Sequence, residues 1–293
     1  MPSLKDIRTR IDSTKNTQQI TKAMKMVSAA KLRRAQQNIV NLRPYANTIL
    51  SVISDIALTH RIDHPLLSSS RDVKKVLLVV VTSDRGLCGA FNTNVLKFAH
   101  NYISEVGPTV DKLDLIVIGK KAIDFFKRRG VDPKDVKLNL AKDVSYVYSA
   151  KISEDLMGWY ETGEYDEIRF VYNEFKSAIQ QKVVSETILP VDVQAAATIN
   201  KGINGFPQDM LFEPQPEEII DDLLKKHFAV QVYRCLSESV AAEHGARMAA
   251  MENATKNAGE MINKLTLNYN KARQAAITTE LIEITSGAEA LKG

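Results

Sequence analysis

After Pro216 the chain runs to about Ala290 without another proline, and its glycines, Gly245 and Gly259 among them, stand singly. Pro216 followed by Glu217 and Glu218 reads as a helix start, with proline in the first turn and acids near the positive end of the helix dipole. A helix over this stretch at about 1.5 Å per residue is ~110 Å long. A compact domain of the size that remains is only about 30 to 40 Å across. Such a helix needs a partner for its apolar side and extends past any globular body that the same chain can build.

The other end of the chain supplies the partner. From Ser28 the apolar or small residues are Ser28, Leu32, Ala35, Ile39, Leu42, Ala46, Ile49, Ile53 and Ile56, in alternating steps of four and three. That is the seam of a left-handed coiled coil. An amphipathic helix lying on its own domain would show a wider apolar stripe. The same register carried backward gives Ile7, Ile11, Thr14, Gln18 and Thr21, so the upper seam is polar. Pro44 falls inside the pattern and predicts a kink or local break. On the C-terminal helix, Ala242, Ala246, Ala250, Ala254 and Ala258 make a ridge of small side chains that admits a close neighbour, for which the N-terminal helix is the natural candidate.

Between the ends the period changes. "KKVLLVVVTS", "LDLIVIG" and "YDEIRFVYNEF" read as strands, and "AFNTNVLKFAHNYIS" and "KKAIDFFKRRG" as helices between them. Val/Ile-rich strands alternating with helices predict a doubly wound, mostly parallel sheet. "SAIQQKVVSETILPV" adds an antiparallel strand, "RIDHPLLSSSRD" is a turn-rich linker into the domain, and "NKGINGFPQDMLFEPQP" is its exit loop. The expected fold class is α/β plus a long antiparallel coiled coil: paired N- and C-terminal helices with an inserted Rossmann-like domain. The expected segments are 1–60, 61–208 and 209–293.

Charge is distributed unevenly. Residues 1–43 hold ten Lys and Arg against Asp6 and Asp12, a local +8, whereas the whole chain is +4, which leaves −4 for the rest. Ser13 to Ser54 contains no acid at all, so this basic helix needs balancing charge from elsewhere. The two cysteines, Cys88 and Cys235, show no C-x-x-C or Cys/His spacing, and His60, His64, His100, His227 and His244 are scattered, so neither a metal site nor a cofactor is expected. The longest aliphatic run, Val76 to Val81, is far short of the ~20 residues of a membrane-spanning helix. Asp6 and Asp12, with the unbroken seam that follows, argue against a transit peptide and for a mature N-terminus.

The most enzyme-like stretch is "TSDRGLCGAFN", a Gly-containing turn between strand and helix. It lacks the spacings of the dinucleotide and P-loop fingerprints. Cys88 as a thiolate nucleophile, activated by Arg85 and a helix N-terminus, has no histidine near it in sequence; Gly86 and Gly89 as plain turn formers are the simpler reading. A small-molecule enzyme on the α/β domain would be inactivated by Cys88→Ser. A nucleic-acid-binding coiled coil, the other competing class, predicts steeply salt-dependent affinity, and few aromatics interleave the lysines to support it.

"SLKDIRTRIDSTKNTQQITKAMKMVSAAKLRRAQ" and "LNYNKARQAAITTELIEITSGAEAL" closely resemble the two terminal signatures of the gamma subunit of the rotary ATP synthase, and "SDRGLCGAFN" resembles that family's loop after its first strand. The resemblance spans essentially the whole chain. It implies a central rotor shaft with no bond chemistry of its own. The paired helices would stand inside a ring of alpha and beta subunits, with epsilon beside the α/β domain and a membrane c-ring beneath it. It further implies that Met24, Lys25, Arg33 and Arg34 face the acidic levers of the beta subunits, and that Arg273, Gln274, Thr278, Glu280 and Glu283 make the C-terminal bearing and catch contacts. Met24 and Met26 also read more simply as seam or gap-filling residues. The paired cysteines of the chloroplast members are missing. The reading is of a bacterial protein, peripheral on the cytoplasmic face of the plasma membrane, that neither inserts into the bilayer nor binds nucleic acid.

Overall fold

The structure is a computed structural model and describes residues 3–60, 62, 64–67, 72–138, 140, 144–178, 180–192 and 215–290. The chain divides into two compact units, Met1–Ser28 with Met248–Gly293, and Ala29–Arg247. Two long helices contribute to both: α1 (Leu4–His60) and α5 (Pro216–Ala290). Pro44 lies inside α1, which continues through it. The expected break does not occur because the backbone bond that proline removes falls on the helix's solvent side, where Val40 is 57% exposed and water can serve the freed carbonyl.

In the first unit, α1 starts on a capping box: Ser3 Oγ accepts from the Asp6 N–H at 3.2 Å, and the Asp6 carboxylate accepts from the Ser3 N–H at 3.1 Å. Ile7, Ile11, Thr21 and Ser28 are buried in the expected seam. The polar upper seam is a set of cross-helix bonds. Thr255 Oγ1 donates to Thr21 Oγ1 at 2.8 Å, Gln18 Nε2 reaches the Thr255 carbonyl at 3.4 Å, and Lys25 Nζ pairs with Glu252 at 2.7 Å. These contacts run antiparallel, and the register exhausts α1 opposite about residue 273 of α5.

In the second unit, Leu32, Ala35, Ile39, Ala46, Ile49, Ile53 and Ile56 are buried along α1, as the heptad pattern requires. The sheet has strands β1 (Lys75–Val81), β2 (Lys112–Ile118), β3 (Asp135–Lys137), β4 (Glu167–Phe175) and β5 (Gln181–Leu189), in the order β3-β2-β1-β4-β5. All neighbours are parallel except β4 and β5. Helices α2 (Phe91–Val106) and α3 (Lys120–Lys127) cover one face through Leu78, Val80, Val95, Ala99, Val117 and Phe126. The opposite face of β4 meets α5, where Arg234 donates to Tyr172 Oη at 3.1 Å and to Glu186 at 2.6 Å. Helix α4 (Tyr146–Glu161) makes the crossover from β3 to β4, and its Tyr146 ring stands edge-on to Tyr233 of α5.

The sequence pattern predicts neither helix α4 nor strand β3. The linker after α1 is in part packed down: Leu66 is fully buried, and its carbonyl accepts from the Val191 N–H at 2.8 Å. The expected exit loop, Asn200 to Pro216, lies almost wholly outside the described residues.

Two buried histidines of α5 give this unit a pH signature. Burial holds His227 and His244 at about 4, helped by Arg234 at the first and by Arg247 and Lys31 at the second. In the unfolded chain both return to about 6.5. Between those values the unfolded state binds protons that the folded state refuses, so stability is full above about 6.5 and falls as pH drops toward 4. At pH 5.5 each imidazole is expected to cost about 1 kcal/mol relative to pH 7. Glu243, whose carboxyl burial raises, works in the opposite sense. The diagnostic is therefore the urea midpoint at pH 7 and 5.5 in the wild type and in His227→Gln: the variant loses part of the pH dependence, and identical slopes would show that His227 titrates normally.

Candidate functional site: a filled crevice and a basic helix pair

Doubly wound sheets bind ligands outside the carboxyl ends of their strands, where the strand order reverses. Here that switch point lies between β1 and β4. On the other side of β1, next to β2, the residues Thr82 to Asp84 are engaged by the N-terminus of α3, which follows β2. The Lys120 N–H donates to Asp84 Oδ1 at 3.0 Å, the Lys121 N–H to the Ser83 carbonyl at 3.2 Å, and the Ala122 N–H to Thr82 Oγ1 at 3.0 Å. A helix N-terminus leaves its first N–H groups unpaired and attracts anions. In this chain the Asp84 carboxylate takes the place that a ligand phosphate holds elsewhere.

The rest of the loop is equally committed. Ser83 Oγ donates to the Arg85 carbonyl at 2.6 Å, and Asn92 accepts from the Ser83 N–H at 3.0 Å while donating to Cys88 Sγ at 3.2 Å. Cys88 is 2% exposed, and burial raises its thiol pKa, the reverse of what a thiolate nucleophile needs. Its hydrogen-bond neighbours are Ser83, Asn92 and the Arg85 carbonyl, and Glu243, the carboxylate whose charge it feels, is paired with Arg247, so among the described residues no base is hydrogen-bonded to the thiol. Leu87 at the loop tip has φ 62° and is 64% exposed, an unusual conformation for a bulky residue.

The crevice itself is occupied by α5. Ala242 and Ala246 pack with Cys88, Phe91 and Phe175. This corrects the expectation that the whole alanine ridge faces the N-terminal helix: its lower part faces the sheet, because small side chains suit a close approach to strand ends as well as to a helix. Arg247 closes the contact, donating to the Gly86 carbonyl at 3.2 Å and pairing with Glu243 at 2.7 Å.

The sequence-predicted contact residues fall in both units. In the first unit Met24 and Lys25 are half-buried, with Lys25 already paired to Glu252. Arg273, Gln274, Thr278, Glu280 and Glu283 are all exposed, and they begin about 30 Å farther along α5 than Glu252 at 1.5 Å per residue. In the second unit Arg33 and Arg34 are exposed. Among the described residues, the basic side chains of residues 3–42 make one ion pair, Lys25 to Glu252. Residues 248–288 carry four acids and four bases, so they leave the N-terminal positive charge uncancelled. Past the end of the register with α1, Ile277, Leu281, Ile282 and Ile284 are 49 to 67% exposed. Sequence reasoning missed this apolar tip as a feature, although the spacing of these residues was visible. Among the described residues there is no metal-binding cluster, and no helix is long and apolar enough to cross a membrane.

The sequence matches the ATP synthase family over residues 3–291. It is 60% identical to the ATP synthase gamma chain of Bdellovibrio bacteriovorus, with both chains fully covered. Two similar solved structures come from the mitochondrial ATP synthase of Euglena gracilis. A chain of its OSCP/F1/c-ring assembly in rotational state 3 matches with TM-score 0.68 and 26% identity, covering 98% of this chain and 94% of that one. A chain of its rotor in rotational state 1 matches with TM-score 0.63 and 25% identity, covering 94% and 98%. With full-length identity, a matching fold and terminal signatures in the same order, the chain belongs to the family of ATP synthase gamma chains.

Proposed function

We propose that this chain is the central rotor shaft of a rotary ATP synthase, coupling turning of a membrane c-ring to ATP synthesis or hydrolysis on the beta subunits. The observation that carries the reading is a helix pair whose basic N-terminal side chains make, among the described residues, one ion pair, and whose C-terminal tip exposes four large aliphatic residues. Exposed apolar and single-sign surfaces together mark a contact face. Alpha and beta subunits form the collar around it, epsilon flanks the α/β domain, and the c-ring lies beneath. The domains are 1–60, 61–208 and 209–293.

Met24, Lys25, Arg33 and Arg34 contact the beta subunits low on the pair, and Arg273, Gln274, Thr278, Glu280 and Glu283 contact the ring near the tip. Exposed ion pairs are worth only about 0 to 1 kcal/mol each, so they bias angular positions without fixing one. Coupling follows because each position offers the three beta subunits different interaction energies. The chain itself catalyses nothing, and it sits peripherally on the cytoplasmic face of a bacterial plasma membrane.

Charge reversal tests this. In Arg33→Glu with Arg34→Glu, two attractions become repulsions, together about 2 kcal/mol. ATP-driven ion pumping by the reconstituted holoenzyme is expected to fall about tenfold while the tagged chain still co-purifies with alpha and beta. Unchanged pumping, or a wild-type chain that brings down neither subunit, defeats the reading.

A further inference from the structure

The stretch of α5 from Ser237 to Arg247 is buried at every position, an unusual state for a helix whose other parts show exposed faces. Its most intimate contact is with the sheet's switch point. A Cβ placed on Gly245 would lie 3.2 Å from the Ala178 carbonyl oxygen, in the turn between β4 and β5, and 3.4 Å from the Phe175 ring. On the β1 side, Ala242 and Ala246 close over Cys88 and Phe91. Arg247 then reaches across to the loop after β1 and donates to its Gly86 carbonyl at 3.2 Å, with the Arg85 carbonyl at 3.5 Å. Glu243, one turn back, holds the other side of the guanidinium at 2.7 Å. Both side chains are buried, at 10% and 5% exposure, so the pair is dry and directional.

We propose that the Ala242–Arg247 turn is a resident ligand of the switch-point crevice, latched by Arg247, and that this latch makes the α/β domain turn as one piece with α5. The second half of the statement rests on the rotor reading; the first does not. A doubly wound fold normally keeps this crevice open for a diffusible ligand. Here the position is filled by the helix that has to carry torque. The guanidinium is a positioning group. It reads two successive backbone carbonyls of one loop, which no point charge or apolar side chain reproduces.

Cys88 reports on the latch, because Ala242 and Ala246 are what cover it, while Cys235 is buried elsewhere on α5. Maleimide labelling of the purified full-length chain is therefore compared in wild type, Arg247→Met and Arg247→Lys. In Arg247→Met the Cys88 labelling rate is expected to rise at least tenfold with Cys235 still protected, and Arg247→Lys should recover part of the protection. Equal rates in wild type and Arg247→Met overturn the latch. A parallel rise at both cysteines also overturns it, since Arg247 would then support the fold in general.

In the reconstituted holoenzyme, Arg247→Met is expected to keep ATP hydrolysis within about twofold while ions pumped per ATP fall at least threefold. An unchanged ratio with Cys88 exposed removes the torque role and leaves the crevice assignment standing. A chain that fails to assemble with alpha and beta in its wild-type form defeats the rotor reading alone.

Discussion

Replacing Gly119 with alanine is expected to remove about 4 kcal/mol or more of folding stability, enough to deplete the folded chain. Gly119 follows β2 at the edge where the strand ends converge. Its φ of 99° is one that L-residues rarely adopt, and a Cβ there would stand 2.2 Å from the Thr82 carbonyl oxygen and 2.8 Å from Thr82 Oγ1. Neither atom can retreat. The Thr82 N–H is bonded to the Ile118 carbonyl at 2.8 Å, and Thr82 Oγ1 caps α3 through the Ala122 N–H at 3.0 Å. A methyl group would have to separate β1 from β2 or unseat the helix. Gly130→Ala provides the control, since Gly130 has φ 69° and, among the described residues other than its chain neighbours, nothing lies within 4 Å of the added carbon. It carries backbone strain alone and is expected to cost about 1 kcal/mol. Urea unfolding of the two variants separates the effects; comparable losses would refute the steric argument at Gly119.

The same edge shows where sequence reasoning stops. The helix pair was legible because the 4-3 spacing from Ile7 to Ile56 is what packing on another helix demands, and the structure buries most of those positions, with Thr14, Gln18 and Leu42 half-buried. Strands β1 and β2 were legible as aliphatic runs because parallel strands are covered on both faces, and β4 by the apolar and aromatic Ile168, Phe170, Val171 and Tyr172 at its centre. Helix α4 was hidden because Ser149 and Ser153 share its buried side with Ile152 and Leu156, which blurs the apolar period; its start signal, Ser145 accepting from the Tyr148 N–H, is visible only once a helix is supposed. Strand β3 is three residues long and carries no pattern to read.

For the site, "TSDRGLCGAFN" announced a strand-to-helix turn and nothing about its partners. Those partners, Lys120 to Ala122 and Arg247, lie some 40 and 160 residues away in sequence. Tertiary capping of α3 is what turned a phosphate-like loop into a structural one. The balancing charge for the basic helix was equally beyond the sequence pattern. Lys25 finds Glu252 across the pair, but Arg33 and Arg34 remain exposed.

Two glycines of α5, Gly245 and Gly259, test the close approaches in opposite directions. Glycine inside a helix costs about 1 kcal/mol relative to alanine, so both positions would be improved by alanine if nothing stood in the way. At Gly245 something does: the added carbon meets Ala178 backbone at 3.2 and 3.3 Å, and backbone in a tight turn between two paired strands yields little. Gly245→Ala is therefore expected to be near neutral. Gly245→Val, which sends two further methyl groups toward Ala178 and the Phe175 ring, is expected to lose about 3 kcal/mol. At Gly259 the added carbon meets, among the described residues beyond its own helix turn, Gln18 Nε2 at 3.0 Å, the far end of a flexible side chain whose bond to the Thr255 carbonyl is long at 3.4 Å. It can swing aside, so Gly259→Ala is expected to gain about 0.5 kcal/mol. Urea midpoints read by far-UV circular dichroism decide both. If Gly245→Val unfolds at the wild-type midpoint, α5 does not press on the sheet's carboxyl edge, and the filled crevice falls with it.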